Sequence, residues 1–220
     1  MFKHKLNLTY LLKMKLTAHF TALAISTLLV ACGTSTEKNT ENAENSSEAV
    51  INYNVSTEES NVNWLGEVAG VYGHDGDVKI ATGNVTVEGG QITAGNITID
   101  MTSISPANPE QYTDEDGKRA SDLKAHLSTG DFFLVDQFPT ATFTVKSHQG
   151  DKLVGDLTIR GNTSEETATI TSMEATEQGM KAQAKLVFDR QKYDVAWVHF
   201  MKDMILSDDI QLTISIVGKP

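Results

Sequence analysis

The chain is poor in cysteine and histidine. Cys32 is its one thiol, and a single thiol cannot form a disulfide within the chain, so a small disulfide-stabilised scaffold is excluded. Beyond residue 31 no two histidines are spaced at i,i+2 or i,i+4, which argues against a metal site. These histidines are His74, His126, His148 and His199.

Basic side chains are also few. The chain carries 18 Lys and Arg against 29 Asp and Glu, a net charge of −11. Four of the lysines lie within the first 31 residues, which hold no Asp or Glu, so the rest of the chain is more acidic still. Such a surface repels nucleic acid and anionic lipid surfaces, and nucleic-acid binding is excluded on this ground.

Motifs for catalysis and for ion binding are missing. There is no Gly-x-Ser-x-Gly nucleophile elbow and no Gly-rich phosphate loop. The acidic run at 114–117 lacks the spacing of a calcium loop, and we interpret it as a solvated turn. We interpret His74-Asp75-Gly76-Asp77 as a turn as well. The sequence therefore predicts no catalytic residue, no metal and no enzyme.

The N-terminus has the layout of a secretory signal. A basic start precedes an apolar run from Leu16 to Ala31, and Leu29-Val30-Ala31-Cys32 resembles the lipobox of bacterial lipoproteins. The resemblance implies that Cys32 is acylated, with palmitate as a typical chain, and anchors the mature protein to a membrane. The alternative is a spanning anchor, but the apolar stretch is shorter than the roughly 20 residues that a spanning helix needs.

The sequence divides into three parts: a signal peptide over 1–31, a tether over 32–49 and a domain over 50–220. The tether is rich in Ser, Thr, Asn and Glu and cannot bury enough apolar surface to fold. Gly33, rather than Asp, follows the cysteine. By resemblance to Gram-negative lipoproteins, this favours the outer membrane, facing the periplasm.

Alternation of apolar and polar residues dominates beyond Val50 and predicts antiparallel β-structure. A turn at Glu88-Gly89-Gly90 uses the positive φ that glycine tolerates. Strands are predicted around 62–64, 84–88, 91–100, 141–147, 152–160, 167–174, 180–189 and 209–217. Eight evenly spaced strands indicate a closed barrel or a sandwich.

Two segments break the alternation. Leu123 and Leu127 are spaced as on a helix over 121–129, with Ser121 as the N-cap and Gly130 as the C-terminal stop. A second helix or a loop is predicted over 197–206. The sequence is thus predicted to be all-β with one or two short helices.

Several segments resemble, in their order along the chain, those of the YceI-like family of secreted bacterial proteins. The most specific is Asp131-Phe132-Phe133 followed by Phe138-Pro139-Thr140-Ala141-Thr142-Phe143. The others are Ser60–Trp64, Gly73–Gly76, Ile99–Ile104, Gly155–Thr163 and Arg190 with Tyr193.

The resemblance covers residues 51–217 and implies an eight-stranded lipocalin-like barrel that binds polyisoprenoid lipid. The chain departs from the family pattern at Asp194, where glycine is usual, and in the segments 105–118 and 197–206. These departures concern the barrel's opening.

If the barrel holds a lipid, apolar residues of its interior are the expected ligand contacts. The candidates are Val62, Trp64, Ile97, Ile99, Phe132, Phe133 and Phe143. Alternatively these side chains simply fill the core. His126 either contacts a polar head group or caps the helix, and Arg190 pairs with either a phosphate or a nearby carboxylate.

The sequence predicts a membrane-tethered barrel that binds an isoprenoid-tailed lipid, a quinone or a polyprenyl phosphate, without turnover. It would carry, store or sense that lipid in the cell envelope, with no cofactor besides the lipid itself. The alternative is a filled barrel that offers its acidic segment 105–118 to a protein partner. The sequence leaves open whether the domain is a monomer or a homodimer.

Overall fold

The computed structural model describes residues 49–68, 72–197 and 206–220. The predicted signal peptide, Cys32, all of the tether but residue 49 and most of the predicted 197–206 helix lie outside these residues. The strands are β1 Val50–Val55, β2 Asn61–Val68, β3 Tyr72–Glu88, β4 Gln91–Pro106, β5 Thr140–Gln149, β6 Lys152–Ile159, β7 Asn162–Thr176, β8 Gly179–Asp189 and β9 Leu206–Lys219.

The strands form one closed antiparallel barrel. Going round it, the order is β3-β2-β9-β8-β7-β6-β5-β4, and β4 pairs again with β3. β1 pairs with the second half of β3 and with the end of β9, while β2 pairs with the first half of β3. β1 and β2 therefore share one strand position. The predicted eight-stranded barrel is confirmed, and the nine strands of the described residues occupy its eight positions.

A buried serine bridges the break between β1 and β2. Ser60 is 7% exposed, and its Oγ accepts a hydrogen bond from the backbone N–H of Val217 at 2.9 Å. The N–H of Ser56 donates to the carbonyl of Val217 at 2.8 Å. These two bonds continue the pairing with β9 where the strand is interrupted, so the buried backbone of β9 keeps its partners.

Two-residue turns with positive φ join β3 to β4 and β6 to β7. Gly89 and Gly90 have φ of 58° and 75°, and Arg160 and Gly161 have φ of 51° and 75°. Two consecutive positive values are the geometry that fits the twist of a tight hairpin. The predicted glycine turn is confirmed.

Among the described residues, one α-helix, α1 (Ala120–Ser128), lies in the chain segment between β4 and β5, and 3-10 helices span Pro109–Gln111 and Arg190–Tyr193. The helix begins one residue before the prediction. Its N-cap is Arg119, not Ser121, because the Asp122 carboxylate accepts the N–H groups of Gly117 and Arg119 at 2.9 and 3.0 Å. Within the described part of the chain, no helix is both long and apolar enough to cross a membrane.

The two ends of the barrel differ. At the end called here the mouth, β4 leads into the segment that carries the helix α1, and β8 leads into the 3-10 helix Arg190–Tyr193. The opposite, closed end carries the hairpins β3–β4, β5–β6 and β7–β8 and the start of β1. Large side chains near the closed end lie over inward-facing glycines: Phe143 over Gly155 and Ile97 over Gly83. This end is packed with apolar side chains.

Candidate functional site

A cavity of about 1160 Å³ occupies the mouth half of the barrel. This volume is slightly above the roughly 300–1,000 Å³ typical of small-molecule sites. Its wall is mostly apolar, as expected where every second residue of an antiparallel strand points inward. The wall includes Val62, Val78, Ile99, Met101, Ile104, Ala141, Leu157, Ile159, Phe188, Ile210 and Leu212. A second hollow of about 470 Å³ is lined by residues of β7, β8 and β9.

The structure brings seven of the nine sequence-predicted residues to this cavity. They are Val62, Trp64, Ile99, His126, Phe132, Phe133 and Arg190. Ile97 and Phe143 do not line it and instead pack against the core below it. Both face inward as alternation implied, but each lies one inward position closer to the closed end than its cavity-lining neighbour.

Sequence reasoning missed most of the wall. Phe188, Ile210 and Leu212 lie on strands that were predicted, at inward-facing positions of the same alternation. The signal for them was therefore present. Tyr72 and Tyr112 line the mouth from segments without a periodic pattern, so their position depends on the tertiary structure alone.

Trp64 is held against a glycine on the neighbouring strand. Trp64 pairs with Gly76 in the β2–β3 ladder, and a Cβ at Gly76 would lie 2.5 Å from the indole ring and would also overlap the carbonyl of Ser105. The predicted turn at His74–Asp77 is wrong. These residues belong to β3, and the glycine serves the close approach of the indole rather than a reversal of the chain.

A cluster of aromatic side chains lies at the C-terminal end of α1. The His126 ring meets Phe132 and Trp197 edge to face, with centroids 5.0 and 5.2 Å apart, and its Nε2 is 3.4 Å from Oδ2 of Asp131. The helix end is closed by Thr129, whose N–H and hydroxyl donate to the His126 carbonyl at 3.1 and 2.7 Å. The imidazole is thus placed on the cavity wall, and the threonine supplies the cap.

A second histidine pairs with a tyrosine on the other side of the mouth. Nδ1 of His74 is 3.2 Å from the Tyr112 hydroxyl, and the two rings are stacked with centroids 5.9 Å apart. Burial lowers the pKa of His74, although the Asp75 carboxylate opposes the shift. A neutral imidazole has one donor nitrogen and one acceptor nitrogen, so with Nδ1 at Tyr112 its Nε2 can take part in one further hydrogen bond.

Arg190 is a buried structural cation. It is 3% exposed, and its Nη2 lies 2.9 Å from Oδ1 of Asp208. Its guanidinium also donates to the carbonyls of Val195, Trp197 and Ser207 at 2.5, 3.2 and 3.0 Å. Burial lowers its pKa. Although Arg190 lines the cavity, its donors hold the segment between β8 and β9, in line with the expected carboxylate pairing.

The other cations at the rim are also paired. Lys118 Nζ lies 2.6 Å from the Glu115 carboxylate, and Arg119 Nη1 lies 2.5 Å from that of Asp116. Arg119 Nε donates to the Asp114 carbonyl at 2.9 Å. Asp122 adds another carboxylate to the lining of the same rim. The acidic segment thus neutralises the cations beside the opening.

Side chains close the wall where β7 and β8 separate. The β7–β8 cross-strand pair nearest the mouth is that of Ala168 and Leu186. Beyond this pair, toward the mouth, the 3-10 helix Arg190–Tyr193 packs against β7. The Tyr193 hydroxyl and Lys192 Nζ each donate to Oε1 of the buried Glu166 at 3.0 Å. Burial and the Glu166 carboxylate raise the pKa of Tyr193.

Arg160 joins this wall to the helix segment. Its Nη1 donates to the carbonyls of Phe132 and Asp194 at 2.8 and 2.6 Å. Asp194 has φ of 62°, a left-handed conformation that favours glycine but that aspartate tolerates. The departure from the family's glycine therefore keeps the local backbone.

Among the residues that the structure describes, no group of three or more His, Cys, Asp and Glu side chains could hold a metal ion. The arrangement can enclose an apolar chain and offer a few polar groups at one end.

The sequence and the fold both have known relatives. A sequence profile of the YceI-like domain matches residues 53–218. UPF0312 proteins of Staphylococcus aureus strains USA300 and NCTC 8325 are 57% identical over 42 residues, which is 19% of this chain. The chain spans 25% of the length of these curated relatives.

Two solved structures share the fold. BcnA of Burkholderia cenocepacia aligns with a TM-score of 0.58 and 18% identity, over 74% of this chain and 98% of that one. A polyisoprenoid binding domain from Saccharophagus degradans, implicated in plant cell wall breakdown, aligns with a TM-score of 0.50 and 9% identity, over 76% and 97%. With the profile match over most of the sequence, this chain belongs to the YceI-like family.

Proposed function

We propose that this protein binds a lipid with an isoprenoid tail in the mouth-half cavity and does not transform it chemically. The observation that carries the proposal is the apolar cavity of about 1160 Å³ open at one end of the barrel. Each buried CH₂ contributes about 0.8 kcal/mol, so a branched hydrocarbon can be held here without dedicated chemistry. The family membership and the fold shared with a polyisoprenoid binding domain support this ligand class.

The rim favours an uncharged head group. Lys118 and Arg119 are each paired with carboxylates, and the Arg190 donors are committed to one carboxylate and three carbonyls. A phosphate would have to compete with these carboxylates and would meet Asp122. His74 and Tyr112 offer neutral hydrogen-bonding groups at the mouth. We therefore favour a quinone-like head over a polyprenyl phosphate.

Native extraction tests the proposal. The full-length protein is purified without denaturation, extracted with organic solvent and analysed by mass spectrometry. We expect a prenyl lipid in stoichiometric amount. An empty protein that also takes up neither added ubiquinone nor undecaprenyl phosphate would contradict the proposal and would favour a barrel that binds a protein partner through its acidic segment.

A pair of variants on one strand tests the location. Leu212→Glu places a carboxylate in the cavity wall, whereas Thr213→Glu places the same charge on the outer face opposite Lys185. We expect Leu212→Glu to lose at least ten-fold in lipid affinity and Thr213→Glu to bind as the wild type does. Equal affinities in the two variants would place the ligand elsewhere.

We further propose that Cys32 carries lipid and holds the barrel to the outer membrane on its periplasmic side, where it carries, stores or senses its ligand. The basis is the lipobox at the end of the apolar run. Labelling with a palmitate analogue should mark the wild type and not Cys32→Ser, and globomycin should block the processing. An unlabelled, soluble wild type would contradict the anchor.

A further inference from the structure

The cavity ends at a defined level inside the barrel. On the β4–β5–β6 side its last lining residues are Ile99, Ala141 and Leu157. Ile99 and Ala141 are cross-strand partners. The next inward pair toward the closed end is Ile97 and Phe143, and neither residue lines the cavity. This second pair is therefore the floor on that side.

Glycines make room for the floor. A Cβ at Gly155 would overlap the Phe143 ring, and a Cβ at Gly83 would lie 2.7 Å from Cδ1 of Ile97. Two large side chains therefore occupy barrel interior that the neighbouring strands leave free. Phe143 pairs on its other side with Leu157, which does line the cavity. The benzyl group thus separates the cavity from the packed interior beneath it.

We propose that Phe143 sets the length of the isoprenoid tail that the barrel accepts. This inference rests on the proposed function. With the head group at the polar mouth, the tail extends toward the closed end and its last unit meets the Phe143 side chain. Tails that fit above this level bury fully, and longer tails must fold back or leave apolar carbon in water, which lowers their affinity.

Two substitutions move the floor in opposite directions. Phe143→Ala removes the benzyl group and leaves a cavity of side-chain size, so the preferred tail should lengthen by about one isoprene unit. Ala141→Leu adds bulk just above the floor and should shift the preference to shorter tails. Ile92→Ala is the control. Ile92 is also buried in the packed interior, but it lies five residues before Ile97 on β4 and so nearer the closed end.

The experiment measures affinity for prenols of increasing length, from farnesol through geranylgeraniol to solanesol, with the full-length wild type and the three variants. Circular dichroism and thermal unfolding report the fold of each protein. We expect opposite shifts of the preferred length in Phe143→Ala and Ala141→Leu, and no shift in Ile92→Ala.

The outcomes separate this inference from the proposed function. A wild type that binds no prenol of any length would remove the proposed function itself. A wild type that binds, together with folded Phe143→Ala and Ala141→Leu proteins that keep its length preference, would overturn the role of Phe143 alone. If Phe143→Ala does not fold, an unchanged preference in Ala141→Leu overturns it.

Discussion

The closed half and the mouth half of the barrel are stabilised differently. In the closed half apolar side chains fill the interior, with Phe143 and Ile97 lying over glycines. Burying one such side chain fully contributes about 1.5–3 kcal/mol. In the mouth half the equivalent volume is a cavity, so this half lacks the stabilisation that buried side chains would contribute.

Buried polar contacts hold the mouth half instead. Arg190 binds three carbonyls and a carboxylate, and Glu166 binds Tyr193 and Lys192 where the β7–β8 ladder stops. Hydrogen bonds depend on direction, so they can fix a wall without filling the space beside it. The comparison indicates that the barrel separates its stabilising core and its binding volume along its length.

Removing Arg190 should have the largest effect on stability. Arg190→Ala leaves the carbonyls of Val195, Trp197 and Ser207 without this donor, and each buried unsatisfied group costs about 1–3 kcal/mol. We expect a loss of about 3–5 kcal/mol in urea unfolding, with Arg190→Lys recovering only part of it. A loss below about 1 kcal/mol would show that the mouth half does not depend on this cation.

A matched pair of leucines compares a packed position with a neighbouring position that lines the cavity. Leu186 and Leu212 are cross-strand partners on β8 and β9, but Leu186 is buried in the packed interior whereas Leu212 lines the cavity. Leu186→Ala should cost about 2–5 kcal/mol, and Leu212→Ala distinctly less because it enlarges an existing cavity. Lipid affinity should respond in the reverse order. Equal losses of stability would mean that the cavity is not open in solution.

Tyr193→Phe removes one polar contact of the mouth half. The lost hydrogen bond to the Glu166 carboxylate should cost about 1.5–3 kcal/mol. The raised pKa of Tyr193 adds a pH signature: above pH 10 the unfolded chain loses this proton while the folded protein keeps it. Stability therefore falls with rising pH in that range, and the fall should be shallower in the variant. Parallel profiles would contradict the burial of this hydroxyl.

His74 should give the smallest effect. Its pKa lies below the ordinary value of 6.5 because it is buried, with Tyr112 and Asp75 as its neighbours. As the pH falls below 6.5 the unfolded chain takes up a proton before the folded protein does, so acidification favours unfolding. His74→Gln should flatten the pH dependence of stability below 6.5. An unchanged slope would show that the imidazole is solvated.

Alternation predicted which side of the sheet a residue faces, but not how far along the barrel it lies. Val62, Trp64 and Ile99 face inward and line the cavity, whereas Ile97 and Phe143 face inward and lie below it. A period of two repeats identically along a strand. Depth depends instead on where the strand enters the barrel, which the pairing register sets.

Local signals failed where tertiary contacts decide the conformation. The sequence predicts a turn at Gly76, but this glycine lies in β3 and admits the Trp64 indole. The residue type of Ser121 predicts a helix cap there, but the N-cap is Arg119, where the Asp122 carboxylate accepts backbone N–H groups. In both cases one specific contact outweighed an average preference.

The position of β1 sets which end of the barrel is joined to the preceding chain. Val50 pairs with Glu88 beside the Gly89–Gly90 hairpin, so the chain enters the barrel at the closed end. The junction and the mouth therefore lie at opposite ends of the barrel. A label or a fusion partner joined to the chain just before Val50 lies at the end opposite the opening through which a ligand enters.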